Sequence, residues 1–230
     1  MQHIINKLVY SFIFLYFTFL TSLLANEKNN KDLAIHHFMQ GEFLLNQGNY
    51  ALAVLEFQDA LDIDPNAATI HISIADGYRR LGRSKHAENH LEIAITLDSS
   101  DITAREMLGQ LYLLNREYKL AENQFFELSK IDLTNDNYLS ILGDLTKLQK
   151  EWERSIDFYL KAYQVNPQNF EVLENALQVC LSVEFFKKAE QICKMLVDYN
   201  INNSSYWLTY KQITAYNKNY HNTLSAINEL

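Results

Sequence analysis

Apolar residues recur at helical intervals along most of this chain. Between Leu52 and Ile63 they include Leu52, Ala53, Leu55, Phe57, Ala60, Leu61 and Ile63. That three-to-four spacing predicts an amphipathic helix. The rare residues reveal a longer period. Gly109 and Gly143 lie 34 apart, as do Gly48 and Gly82, and Gly41 precedes Gly109 by twice that interval. Pro65 and Pro167 lie three intervals apart. Ala53, Ala87, Ala121 and Ala189 share one phase, and Ala60, Ala94 and Ala162 share another. Tyr50, Tyr118, Trp152, Phe186 and Tyr220 form an aromatic phase. Each period accommodates two helices of about four turns. Gly48 and Gly82 stand where a helix ends in a left-handed turn. Pro65 and Pro167 stand just past a helix, where they stop it and can open the next. Small residues let paired helices approach, and aromatics fill the space between pairs. One pair cannot bury its own apolar face, so neighbours must stack.

The N-terminus has a different pattern. Lys7 is followed by an apolar run from Leu8 to Ala25, and no acidic residue precedes Glu27. A cationic start, an apolar stretch and a small residue predict an export signal cut after Ala25. Leu23 is large where such a site wants a small residue. The run from Leu8 to Ala25 is also just long enough to span a membrane as a helix. An uncleaved membrane anchor is therefore the alternative for residues 1–25. Residues 26–33 read as a polar linker.

After the leader the chain resembles the tetratricopeptide repeat family. Gly41, Gly48, Tyr50, Ala53, Phe57, Ala60 and Pro65 carry the likeness in the first repeat, 34–67. Tyr78, Gly82, Ala87 and Ala94 carry it in 68–101, and Gly109, Tyr112, Tyr118, Ala121 and Phe125 in 102–135. Gly143, Tyr159, Ala162 and Pro167 carry it in 136–169. The fifth repeat, 170–203, is degenerate, and a partial sixth, 204–230, keeps Trp207 and Tyr220. The resemblance implies an all-α, right-handed solenoid of antiparallel helix pairs whose first helices line a concave groove. By register the groove would present Phe38, Glu42, Leu45, Thr69, Ile72, Asp76 and Arg79 from the first two repeats. Later repeats would add Glu106, Gln110, Leu113, Asn137, Asp144, Lys147, Glu174, Gln178 and Leu181. Some relatives clamp a C-terminal carboxylate with Lys, Asn and Arg; Phe38, Glu42 and Ser73 do not suit that. Others grip peptide backbone with an Asn ladder, of which only Asn175 is present here.

Composition narrows the function. Of 230 residues, 20 are basic and 28 acidic, a formal charge of -8 that disfavours nucleic acid. An acidic groove suits a peptide or helix with basic and apolar groups. No phosphate-cradling loop, nucleophile elbow or triad spacing is present, so the chain reads as non-catalytic and free of cofactors. His86 and His90 share a helix face, but the expected setting is solvated and a third metal ligand is missing. His36-His37 reads as ordinary surface or groove, and 62–73 lacks the Gly and Glu of a calcium loop. By register Cys180 and Cys193 face each other in the fifth repeat. Two buried thiols are the expectation, with a disulfide as the alternative in an oxidising space.

These observations predict an interaction scaffold or adaptor that takes a partner's peptide or helix in its groove. A leader of this kind with this repeat resembles bacterial envelope proteins, which implies an exported protein, periplasmic or anchored in the inner membrane. A holding chaperone for exported polypeptides is the alternative, and a recruiting subunit of an enzyme complex a further one. The apolar C-terminal helix, with Leu224, Ile227 and Leu230, would support weak self-association.

Overall fold

The computed structural model describes residues 29–217, together with Leu20 and Ile227. All its regular structure there is helical. Helix α1 covers residues 29–46. It is followed by α2 Tyr50–Ile63, α3 Ala68–Arg80, α4 Ser84–Leu97, α5 Ile102–Leu114 and α6 Tyr118–Ile131. Then come α7 Asp136–Leu148, α8 Trp152–Val165, α9 Glu171–Ser182, α10 Phe186–Tyr199 and α11 Ser204–Tyr216. The helices that open at Tyr50, Ser84, Tyr118, Trp152 and Phe186 start one sequence period apart. The expected linker, 26–33, is corrected in part: α1 already runs through residues 29–33. Asn, Lys and Asp there are solvated helix residues, which composition alone read as loop.

The first helices of the five full repeats end the same way. The N–H of Asn49, Arg83, Glu117, Glu151 and Phe185 reaches back to the carbonyl of Leu44, Tyr78, Tyr112, Thr146 and Cys180, at 2.8–2.9 Å. This is the Schellman closure, which needs a left-handed residue just past the helix. Gly48 and Gly82 supply it, with φ of 82° and 71°. Turns between repeats are tied by Asx side chains. Asp98 accepts from Ser100 N–H, Asp132 from Thr134 N–H and Asn166 from Gln168 N–H. Asp101 then caps α5 through Ala104 N–H, and Asn135 and Asn203 cap α7 and α11.

The chain forms two compact units, Met1–Ala104 and Arg105–Leu230. In the first, the Phe57 ring of α2 lies against Gly41 of α1, and a Cβ at Gly41 would meet it at 2.5 Å. Gly77 of α3 lies nearly as close to Val54 of α2. Phe57, Ile74 and Leu91 are the large buried side chains here, each contributing roughly 1.5–3 kcal/mol. In the second, Gly109 sits on Phe125 and Gly143 on Tyr159. A continuous core runs from Ile156 through Leu173, Ala176, Ile192 and Leu196 to Trp207 and Ile213. The fifth repeat, degenerate in sequence, is therefore as fully packed as the others. No helix among the described residues is long and apolar enough to cross a membrane. The leader, 1–25, and the last helix expected from Tyr220 lie outside the described residues, Leu20 and Ile227 apart.

Candidate functional site

The groove residues expected from register all lie on first helices and all keep solvent access. In the first unit Phe38, Glu42 and Leu45 of α1, and Ile72 and Asp76 of α3, are half-buried; Arg79 is exposed. In the second, Glu106, Asp144 and Lys147 are half-buried, and Gln110, Glu174 and Gln178 are exposed. Phe38, Ile35, Thr69 and Ile70 line a cavity of about 200 Å³ between α1 and α3.

The carboxylates on this face already have protein partners, which register alone does not reveal. Ser73 of α3 donates to Glu42 of α1 at 2.7 Å. Tyr138 of α7 donates to Glu106 of α5 at 2.6 Å, and Tyr206 of α11 to Glu174 of α9. Each bond is a rung from one first helix to the next. Where Glu106 and Glu174 stand, the next repeat supplies Tyr138 and Tyr206; the corresponding pair Phe38 and Ile70 is apolar. That shared offset is the signal by which these two rungs could have been found. Burial, then the bond to Glu106, pushes the Tyr138 phenol up to about 12. The bond to Glu174, then burial, does the same for Tyr206. Both tyrosines thus stay protonated donors at any physiological pH. Asp144 accepts from Tyr159 at 2.6 Å and pairs with Lys147 at 3.1 Å. Asp76 pairs with Arg79 and Arg80 of its own helix. Within each unit such rungs tie first helices together, and Gln110 and Gln178 of the second unit are exposed on theirs.

Within each repeat a second set of pairs joins the two helices. His37 and Glu56 lie 2.8 Å apart, and the Nδ1 atoms of His71 and His90 lie 3.0 Å apart. Arg105 and Gln124 follow in the third repeat. In the fourth and fifth, the same positions are Leu139 with Phe158 and Leu173 with Ile192. His90 was expected on a solvated outer face; it turns instead toward buried His71 of α3. Burial, with His71 and His86 nearby, pulls the His90 imidazole down to about 4. Glu88 is buried at 9% exposure and pairs with Lys85 at 2.9 Å. Glu122 of α6 is more deeply set. Its burial opposes the charge, but bonds from Lys119, Gln149 and Arg154 hold its carboxyl below the usual range. Arg154 of α8 reaches it at 2.6 Å.

Cys180 and Cys193 are both buried free thiols. Cys193 Sγ points at the Tyr206 carbonyl, 3.5 Å away. Burial raises both, to about 11 for Cys180 and about 12 for Cys193, so neither is a reactive thiolate.

A profile of the tetratricopeptide repeat matches residues 20–68 and 72–138. The helix pairs, the period and this match together place the chain in the tetratricopeptide repeat family. Over 130 residues it is 28% identical to the BBSome complex member BBS4 of Mus musculus, covering 55% of this chain and 24% of that one. Over 141 residues it is 26% identical to the type IV pilus assembly protein PilF of Pseudomonas aeruginosa, covering 60% of this chain and 56% of that one. The chain thus spans less than two thirds of either relative. Among solved structures it resembles MamA, with a TM-score of 0.62 at 16% identity over 76% of this chain and 96% of that one. Pseudomonas aeruginosa PilF gives 0.54 at 17% identity, covering 86% and 90%. YrrB, described as a TPR protein with an unusual peptide-binding site, gives 0.53 at 17%, covering 75% and 89%. At such identities the likeness is one of fold.

Proposed function

We propose that this chain is a non-catalytic interaction adaptor that binds a partner protein's peptide or helix on its first-helix faces. The observation that carries this reading is the rung system. Glu42–Ser73, Glu106–Tyr138 and Glu174–Tyr206 fix neighbouring first helices before any partner arrives. A pre-organised face loses less entropy on binding. The face is weighted toward carboxylates and amides, which favours a partner with basic and apolar side chains. Relatives named for a protein complex and for pilus assembly support a role in building larger assemblies. The apolar leader, 1–25, supports placement in a bacterial envelope, either exported or tethered.

The test is capture from crosslinked envelope preparations with the full chain as bait. One or two proteins recovered in constant proportion would support an adaptor and identify its process. A broad set of unrelated clients would replace the adaptor with a holding chaperone. The bait's own N-terminal peptide, read in the same sample, decides between cleavage after Ala25 and a retained anchor.

A further inference from the structure

The first hairpin holds a group of side chains that peptide binding does not use. His37 of α1 and Glu56 of α2 meet with Nδ1 and Oε2 at 2.8 Å. Asp59 stands almost one turn further along α2, so it shares a face with Glu56. One donor atom from each of the three lies within 4.8 Å of the other two. His37 and Glu56 are half-buried and Asp59 is exposed, which leaves an entry path.

The fold does not require polar atoms at these places. The corresponding trios in the fourth and fifth repeats are Leu139, Phe158, Lys161 and Leu173, Ile192, Met195. In the second and third they are His71, His90, Ile93 and Arg105, Gln124, Glu127. Among these five repeats, only the first combines an imidazole with two carboxylates there.

The geometry points to a site for a divalent transition-metal ion of the zinc class, held by His37, Glu56 and Asp59. Such ions bond imidazole nitrogen and carboxylate oxygen at about 2.0–2.2 Å, so ligand atoms around one ion stand roughly 3–4 Å apart. The donors here lie within 4.8 Å of one another, near that spacing. The imidazole selects for zinc-class ions over magnesium and calcium, which take oxygen ligands. Three protein ligands leave a coordination position open for water or for a partner's side chain. The ion would bridge α1 and α2 and tighten the first repeat.

The experiment uses the full chain and zinc chloride at neutral pH. Competition against a chromophoric chelator gives affinity and stoichiometry, and thermal melting gives the stabilisation that ligand linkage requires. The native chain is expected to hold one equivalent and to melt higher with zinc. Asp59→Asn removes the third ligand but leaves the His37–Glu56 bond, and should weaken zinc binding by about 10-fold or more. His37→Ala should weaken it at least as much. Asp59 is exposed, so its variant folds even if the His37 variant does not. Zinc bound equally well by native chain and Asp59→Asn would overturn the site, as would a native chain that binds none.

Discussion

The five left-handed positions show what single residues decide. Gly48 and Gly82 occupy the first two, and the same place in the next three repeats holds Arg116, Lys150 and Glu184, with φ of 61°, 61° and 60°. A side chain in that conformation costs about 1–2 kcal/mol relative to the right-handed one, and glycine escapes most of this. Arg116→Gly, Lys150→Gly and Glu184→Gly should therefore each raise stability by up to about 1 kcal/mol, read as a higher urea midpoint with an unchanged slope. Gly82→Ala should lower it by a similar amount. The close glycines work differently. A Cβ at Gly143 would stand 2.5 Å from the Tyr159 ring. Gly143→Ala should cost about 1–3 kcal/mol through overpacking. The glycine phase was legible in the sequence because glycine is rare here. Arg116, Lys150 and Glu184 were not, since ordinary residues in a strained conformation leave no compositional mark.

Between elements, the polar pairs were the least legible part of the chain. Register placed Glu106 and Glu174 on the right helices, but not the tyrosines that bond them. Each tyrosine is distant in sequence from its glutamate and becomes a neighbour only because first helices stack. The histidines were misplaced for the same reason. His86 and His90 share a face of one helix, whereas the contact that matters crosses to His71 in the preceding helix. That pair has a pH consequence. The two Nδ1 atoms share one hydrogen bond, so one of the rings must accept it. This arrangement requires at least one neutral imidazole. Burial lowers both imidazoles below their ordinary value, with nearby His71 and His86 adding to the effect on His90. The unfolded chain therefore binds more protons between pH 6.5 and about 4, and stability is lost as pH falls through that window. Allowing for solvent at half-buried His90, the loss should be roughly 1–2 kcal/mol. Melting temperature against pH should fall less steeply for His90→Gln than for the native chain; equal slopes would remove the pair as the cause. In the second unit, Arg154→Ala strips one partner from buried Glu122 and should cost about 1–3 kcal/mol in denaturant unfolding.

At the scale of the whole molecule, the period was the strongest signal. Helix starts keep to it from Tyr50 to Phe186, and no insertion interrupts them. The fifth repeat lost the family's rare residues yet kept its packing, because Leu173, Ile192 and Leu196 fill the core by hydrophobicity and volume alone. What a periodic sequence does not encode is the partner, since the period records the packing of the array and not its exposed positions. If the first-helix face binds that partner and its rungs are structural, the contact is expected to come from exposed side chains on those helices outside the rungs. Gln110 and Gln178 are exposed on that face. The decisive experiment titrates a captured partner segment, by calorimetry, into the native chain and into Gln110→Arg with Gln178→Arg. The double variant should bind at least about 10-fold more weakly, with an unchanged helical spectrum and melting temperature. Equal affinity for both chains would move the binding site off the first helices.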